Sequence, residues 1–262
     1  MLGDRGRKAK EACVTAAMAT GSSDVVGVDL RDLRCSGAWE EPETQRRSRE
    51  LLEREGCAVM TEVVGEDALV EARRALEPAL FRIAESLQED QHLSEALKEE
   101  FGLVRAPPVG DGKTNVHFDE HESEEHAAME RLAESGRFAE VCSSYCGRDL
   151  TLYESGASIT TPGGEGMEWH RDGQEGECTV LVSLRDVEGD QGELGVIPKS
   201  HAGAVADKAE DEEVAAGGEA ERAAVWYAYE AGRPMVIDAR TQHSVRDNTS
   251  ETTRCILWYI YN

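Results

Sequence analysis

No stretch of this 262-residue chain approaches the roughly 18 consecutive apolar residues that a membrane-spanning helix needs. The chain is therefore expected not to span a bilayer. The N-terminal segment likewise lacks the continuous apolar stretch of a secretory leader. Arg5, Arg7, Lys8 and Lys10 would suit an organelle-targeting peptide, whereas Asp4 and Glu11 oppose one. The reading is a cytoplasmic protein, with organelle targeting left open and residues 1–40 as a flexible tail. Positive charge is scarce: 28 basic residues face 53 acidic ones, a formal charge of −25. Such a field repels phosphate backbones, so no nucleic-acid partner is expected. The acidic runs at 122–125 and 210–213 read as solvated faces. The seven cysteines are an odd number, which without a leader points to free thiols in a reducing compartment. Cys142 and Cys146 have no second pair nearby in sequence, so they read as buried thiols rather than zinc ligands. Internal repeats are lacking as well.

What is present divides into two textures. Between 41 and 149 the chain is rich in helical signals. An exposed helix is expected over 44–55, a short strand over 56–64, and a helix with Leu69, Ala72, Leu76, Leu80 and Ile83 on one face. Pro78 should kink or divide that helix, and another helix is expected over 123–135. From about 150 the segments become short and strand-like: LTLYESGASIT, ECTVLVSL, GELGVIP, AVWYAY, RPMVIDA and RCILWYIY. Strands without intervening helices imply an antiparallel barrel or jelly roll, giving an α+β fold with one domain over 41–262. An Ala-, Gly- and Glu-rich insertion at 202–224 interrupts the strands as a surface excursion or lid.

The chemistry starts at EWHRDG, residues 168–173. In a strand, residues two apart share a face, so His170 and Asp172 project together. On a helix they would diverge by about 200° and could not chelate one ion. A histidine and a carboxylate supply two of the three ligands in the two-His, one-carboxylate triad of non-haem iron(II). His243 follows a strand, 71 positions after Asp172, where a third ligand could return across a barrel. Arg254 stands eleven positions later, opening the last strand with Ile256, Trp258 and Ile260 on its face. A guanidinium on an apolar face is costly unless it meets an anion. Its fork suits a carboxylate, either a ligand's or that of an internal acid.

These residues together resemble the phytanoyl-CoA dioxygenase (PhyH) family of double-stranded β-helix oxygenases. WHRD (169–172) is similar to the family's His-x-Asp strand, GELGVIPKSH (192–201) to its Ile-Pro-Gly-Ser-His segment with Lys199 in place of glycine, and HSVRDNTSETTR (243–254) to its final His, Asn and Arg. REGCAVMTEVVGEDALVEARRALE (54–77) resembles its strand-then-helix entry, so the likeness covers about 54–262. The resemblance implies a double-stranded β-helix (jelly-roll, cupin-like) core flanked by N-terminal helices. It implies iron(II) held by His170, Asp172 and His243, with 2-oxoglutarate and dioxygen as cosubstrates. Arg254 would take the distal carboxylate of 2-oxoglutarate, with Ser244 and Asn248 as further cosubstrate contacts. The implied reaction is hydroxylation of a small or lipid-like metabolite with release of succinate and carbon dioxide. An intact Asp172 favours hydroxylation over halogenation, because halogenating relatives carry a small residue there.

The sequence also departs from the family. Val245 occupies a position where serine is common, Leu181 one where tryptophan is common, and the polar anchor before the triad is matched only by Thr160 or Thr161. His201 is read as a turn residue near the site mouth, and Trp169 and Arg171 as facing away from the ligands. Asp247 is read either as a partner orienting His243 or as a surface turn. Two other readings remain open at this point. One is a non-catalytic jelly-roll binding protein. The other is a zinc peptidase using His117, Glu120 and His121 (HFDEH), which requires a helix through 117–121. A small-molecule partner is expected, and the oligomeric state is not readable.

Overall fold

The computed structural model of the chain describes residues 28–90, 93–105, 108–119, 123–202 and 218–262. Among these, the first half contains β1 (Arg34–Cys35), α1 (Pro42–Glu55), β2 (Cys57–Met60), α2 (Glu66–Asp90), α3 (Glu95–Glu100), β3 (Leu103–Arg105), β4 (Pro108–Gly110), β5 (Lys113–Phe118), α4 (Glu124–Ser135) and α5 (Phe138–Cys146). The second half adds β6 (Leu152–Thr160), β7 (Met167–His170), β8 (Cys178–Ser183), β9 (Leu194–Val196), the short α6 (Gly218–Ala223), β10 (Val225–Tyr227), β11 (Met235–Asp238), β12 (His243–Val245) and β13 (Arg254–Tyr261).

The large sheet has the order β1-β2-β11-β8-β13-β6-β5-β3, with β4 paired to β5, and the small sheet has the order β10-β9-β12-β7. Only β1–β2 is parallel. The two sheets form a jelly roll, and the helices cover the outer face of the large one. Strand alternation decides which side chain faces which layer. On β13, Leu257, Tyr259 and Tyr261 point to the helices. There Tyr259 meets Phe138 edge-on and donates its hydroxyl to the Met129 carbonyl, 3.1 Å away. Arg254, Ile256, Trp258 and Ile260 point instead into the space between the sheets. One end of that space is filled by Val59, Leu194, Val196, Tyr227, Met235 and Ile237, all fully buried. The other end is left open as a cavity.

The helices follow from their apolar stripes. On α2, Ala72, Leu76, Leu80 and Ile83 are at most 2% exposed, so burying that face outweighs the one backbone bond that Pro78 removes. The helix runs through Pro78 undivided. Pro42 starts α1 and Gly56 ends it in the left-handed region (φ 77°), where a Cβ would strike His201 and Thr241. Ser123 caps α4 by accepting from the His126 N–H.

Three features differ from the sequence reading. Residues 28–40 do not hang free: β1 pairs with β2, and Leu33, Cys35 and Trp39 are at most 4% exposed. Helix α5 was not anticipated, since nine residues give too short a periodic signal. The main sheet is not confined to residues after 150, because β2 and β5 from the first half join it. Most of the 202–224 insertion lies outside the described residues, which place only the short α6 within it.

Candidate metal centre

His170 closes β7 and His243 opens β12, and register sets the two directly opposite each other in the small sheet. Their ring centroids are 4.2 Å apart. Asp172 follows two residues after His170, its backbone N–H tied to the Ala239 carbonyl at 2.9 Å. Its Oδ1 lies 3.5 Å from Nε2 of His170 and 3.4 Å from Nε2 of His243. One donor atom from each of the three falls within 4.8 Å of the others, and no other such group occurs among the described residues. The strand-borne pair and the distant histidine therefore converge as the spacing implied.

The surroundings fix which atoms face the shared point. Nδ1 of His170 lies 2.8 Å from the Glu168 carbonyl, and Nδ1 of His243 lies 3.0 Å from the Thr241 carbonyl. A carbonyl can only accept, so each Nδ1 carries the proton and each Nε2 is turned inward. Thr179, the first inward residue of β8, donates to Oδ2 of Asp172 at 2.7 Å and leaves Oδ1 to the shared point. Burial alone would raise the Asp172 carboxyl. The adjacent positive His243 and the hydrogen bonds from His170, His243 and Thr179 overcome it and hold the group well below the usual carboxylate range. For His243, burial opposes the charge, yet Asp172 and the Thr241 carbonyl push its pKa up. A proton shared at this point occupies the place of a cation, and a two-imidazole, one-carboxylate donor set suits a divalent iron-type ion.

The cavity beside the triad measures 290 Å³. At its buried end Arg254 and Lys113, both 2% exposed, flank Thr160 from the two neighbouring strands. Arg254 donates to the Gln191 carbonyl at 3.1 Å, to the Gly192 carbonyl, and to the Thr160 hydroxyl at 2.9 Å; its Nε has no partner. Among the described residues no acid pairs with it, so the internal salt bridge is absent. Gly192 allows the close approach: a Cβ there would come 2.2 Å from the guanidinium. Desolvation and the nearby guanidinium push the Lys113 ammonium down to about 7. Two buried cations lacking a protein anion make a receptor for a ligand carboxylate.

Lys113 was missed in the sequence because KTNV was taken as loop. The readable signal was the alternation of Lys113, Asn115 and His117, a strand with polar residues facing inward. Lys113 supplies the polar anchor that Thr160 and Thr161 could not. Ser244 and Asn248 are not brought to the cavity. The Ser244 hydroxyl donates to the Met167 carbonyl at 2.7 Å, and the Asn248 amide bridges the Thr160 and Thr252 carbonyls at 3.1 and 2.8 Å. Asp247 accepts from the Gly166 N–H rather than orienting His243. His201 is buried against the Glu53 carbonyl, away from the cavity. Trp169 packs on Trp226, and Arg171 reaches the Arg240 carbonyl, both facing away from the triad. The helix that a peptidase motif would need does not exist at His117, which lies within β5; Glu120 and His121 fall outside the described residues. His117 instead lines the cavity, its Nδ1 3.2 Å from Glu154.

The sequence matches the phytanoyl-CoA dioxygenase (PhyH) family over residues 52–256, and the chain belongs to that family. No curated protein matches the sequence. Solved structures of the same fold include the epimerase SnoN in complex with Fe3+, alpha ketoglutarate and nogalamycin RO, at 19% identity and TM-score 0.61, with 84% of each chain covered. AviO1 from Streptomyces viridochromogenes Tue57 aligns at 19% identity and TM-score 0.60, covering 83% of this chain and 94% of that one. EctD from S. alaskensis with 2-oxoglutarate and 5-hydroxyectoine aligns at 20% identity and TM-score 0.59, covering 82% of this chain and 75% of that one.

Proposed function

We propose that this protein is an iron(II)- and 2-oxoglutarate-dependent dioxygenase that hydroxylates a small organic metabolite. The observation that supports it best is the pairing of the His170–Asp172–His243 donor set with a buried Lys113–Arg254 receptor in one 290 Å³ cavity. His170, Asp172 and His243 would hold the metal, and Arg254 with Lys113 would take the far carboxylate of the 2-oxo acid. When bound, the iron supplies dioxygen activation coupled to oxidative decarboxylation of the cosubstrate to succinate and carbon dioxide.

The chain's own residues position and exclude. The Glu168 and Thr241 carbonyls hold both imidazoles in the tautomer that presents Nε2. Thr179 orients the carboxylate. Thr160 and the carbonyls of Gln191 and Gly192 aim the guanidinium. Leu181, Ile256 and Val245 line the cavity with apolar surface that keeps water from competing. Ser244 and Asn248 act by bracing β12 and the turn before β13 rather than by touching the cosubstrate.

The test is succinate release from 2-oxoglutarate under air with iron(II) and ascorbate, alongside anaerobic titration of both ligands. Turnover, and a visible charge-transfer band lost in His170→Ala and His243→Ala, are expected. Binding without decarboxylation across candidate substrates would leave a non-catalytic jelly-roll binding protein. Relatives of this fold include an epimerase and a carbocyclase, so the product decides the outcome: hydroxylation adds one oxygen atom, and those conversions do not.

A further inference from the structure

The cavity has a second charged end. Along β6 the inward residues run Thr160, Ser158, Gly156 and Glu154, and along β13 their partners run Arg254, Ile256, Trp258 and Ile260. Glu154 is six residues from Thr160, roughly 20 Å at ~3.3 Å per residue, so it forms a separate site from the Lys113–Arg254 row. Its side chain is 35% exposed, whereas Arg254 is 2% exposed, which places Glu154 at the open end. Register also puts Glu154 in the row of Ile260 and Thr179, and Thr179 is the residue bonded to Asp172. This end is therefore beside the metal ligands and opposite the cosubstrate receptor.

Its chemistry is that of a cation acceptor. Glu154 accepts from His117, and an ionised carboxylate has about four lone-pair sites, so further donors can be taken. The Trp258 indole stands edge-on to His117, with centroids 5.0 Å apart, and lies across Gly156, where a Cβ would come 2.4 Å from the ring. An aromatic face beside a carboxylate favours an ammonium through both charge and quadrupole. Among the described residues lining the cavity, the only lysine and arginine are Lys113 and Arg254. No such cation remains at the open end for a phosphate or a second carboxylate, and the chain's charge of −25 repels both.

Building on the oxygenase reading, we propose that the substrate carries a basic nitrogen, held by Glu154 over Trp258, and is not a coenzyme A thioester or other polyanion. The probes are four ligands sharing one apolar ring and differing in head group: cyclohexylmethylamine, cyclohexylmethanol, cyclohexanecarboxylate and cyclohexylmethyl phosphate. Binding is measured by calorimetry on the full chain loaded with iron(II) and 2-oxoglutarate, without oxygen. The amine should bind tightest and the two anions weakest. Glu154→Gln should weaken the amine by about tenfold or more, the range for losing a charge-assisted hydrogen bond, and leave the alcohol unaffected. Glu154→Asp, which keeps the charge, should retain the amine preference. If the wild-type protein loads iron and 2-oxoglutarate but binds an anion or the alcohol at least as well as the amine, or binds no amine, the substrate class is wrong while the oxygenase reading stands. If it loads neither iron nor 2-oxoglutarate, both fall. Should Glu154→Gln not fold, the wild-type ranking still decides.

Discussion

Lys113 is buried without a counter-ion, and replacing it by methionine should have opposite effects on stability and on cosubstrate binding. Its ammonium is pushed from 10.5 down to about 7 by desolvation and by Arg254. A base with a lowered folded pKa binds fewer protons folded than unfolded between those two values, so stability rises with pH across that window. With a folded pKa of about 7 and an unfolded one of about 10.5, linkage gives a gain of about 2 kcal/mol between pH 7 and pH 9. Below pH 7 the full penalty is present. Lys113→Met removes this term and fills the same volume, so the ligand-free variant should be the more stable protein at pH 6. Its advantage should shrink by about 2 kcal/mol by pH 9. The assay is urea denaturation of both proteins across that range. For 2-oxoglutarate the sign reverses. A bound carboxylate needs the charged lysine, so wild-type affinity should fall as pH rises above 7, and Lys113→Met should bind about tenfold or more weakly at pH 7. Parallel stability–pH curves for the two proteins, or unchanged 2-oxoglutarate affinity in the variant, would refute the two-cation receptor.

Thr179→Val keeps the shape but removes the donor to Asp172, and should raise the iron dissociation constant about 10- to 100-fold as read by anaerobic titration; an unchanged constant would mean that the bond is incidental. Lys199 sits at φ 68°, where a Cβ is strained, so Lys199→Gly should gain about 1 kcal/mol in thermal or urea unfolding, and a loss would show that Lys199 is held by contacts worth more. Tyr145→Phe removes the 2.6 Å hydrogen bond to the fully buried Asp238 and should cost about 1–3 kcal/mol of stability without changing iron uptake; a neutral result would mean that Arg240 alone satisfies that carboxylate.

Two kinds of information separate in this molecule. The sequence by itself determined what depends on neighbours along the chain. The two-residue spacing of His170 and Asp172 needs only an extended backbone to share a face, and the apolar stripe of α2 needs only a helical one. The segments around 192–201 and 243–254 carried enough fixed chemistry, in the right order, to mark the third ligand and the buried arginine. Everything arranged by lateral pairing was invisible. Lys113 reaches Arg254 only because β5 and β13 both pair with β6, and Thr179 reaches Asp172 only once β8 is in register with β13. His117 meets Glu154 by the same sheet geometry, in a segment that looked like acidic loop or a helical zinc motif. Strand partners are set by non-local hydrogen bonding, and a one-residue slip would turn each of these side chains to the opposite face. Tertiary structure alone therefore decided how a metal-binding triplet became one wall of a cavity with a basic end and an acidic end.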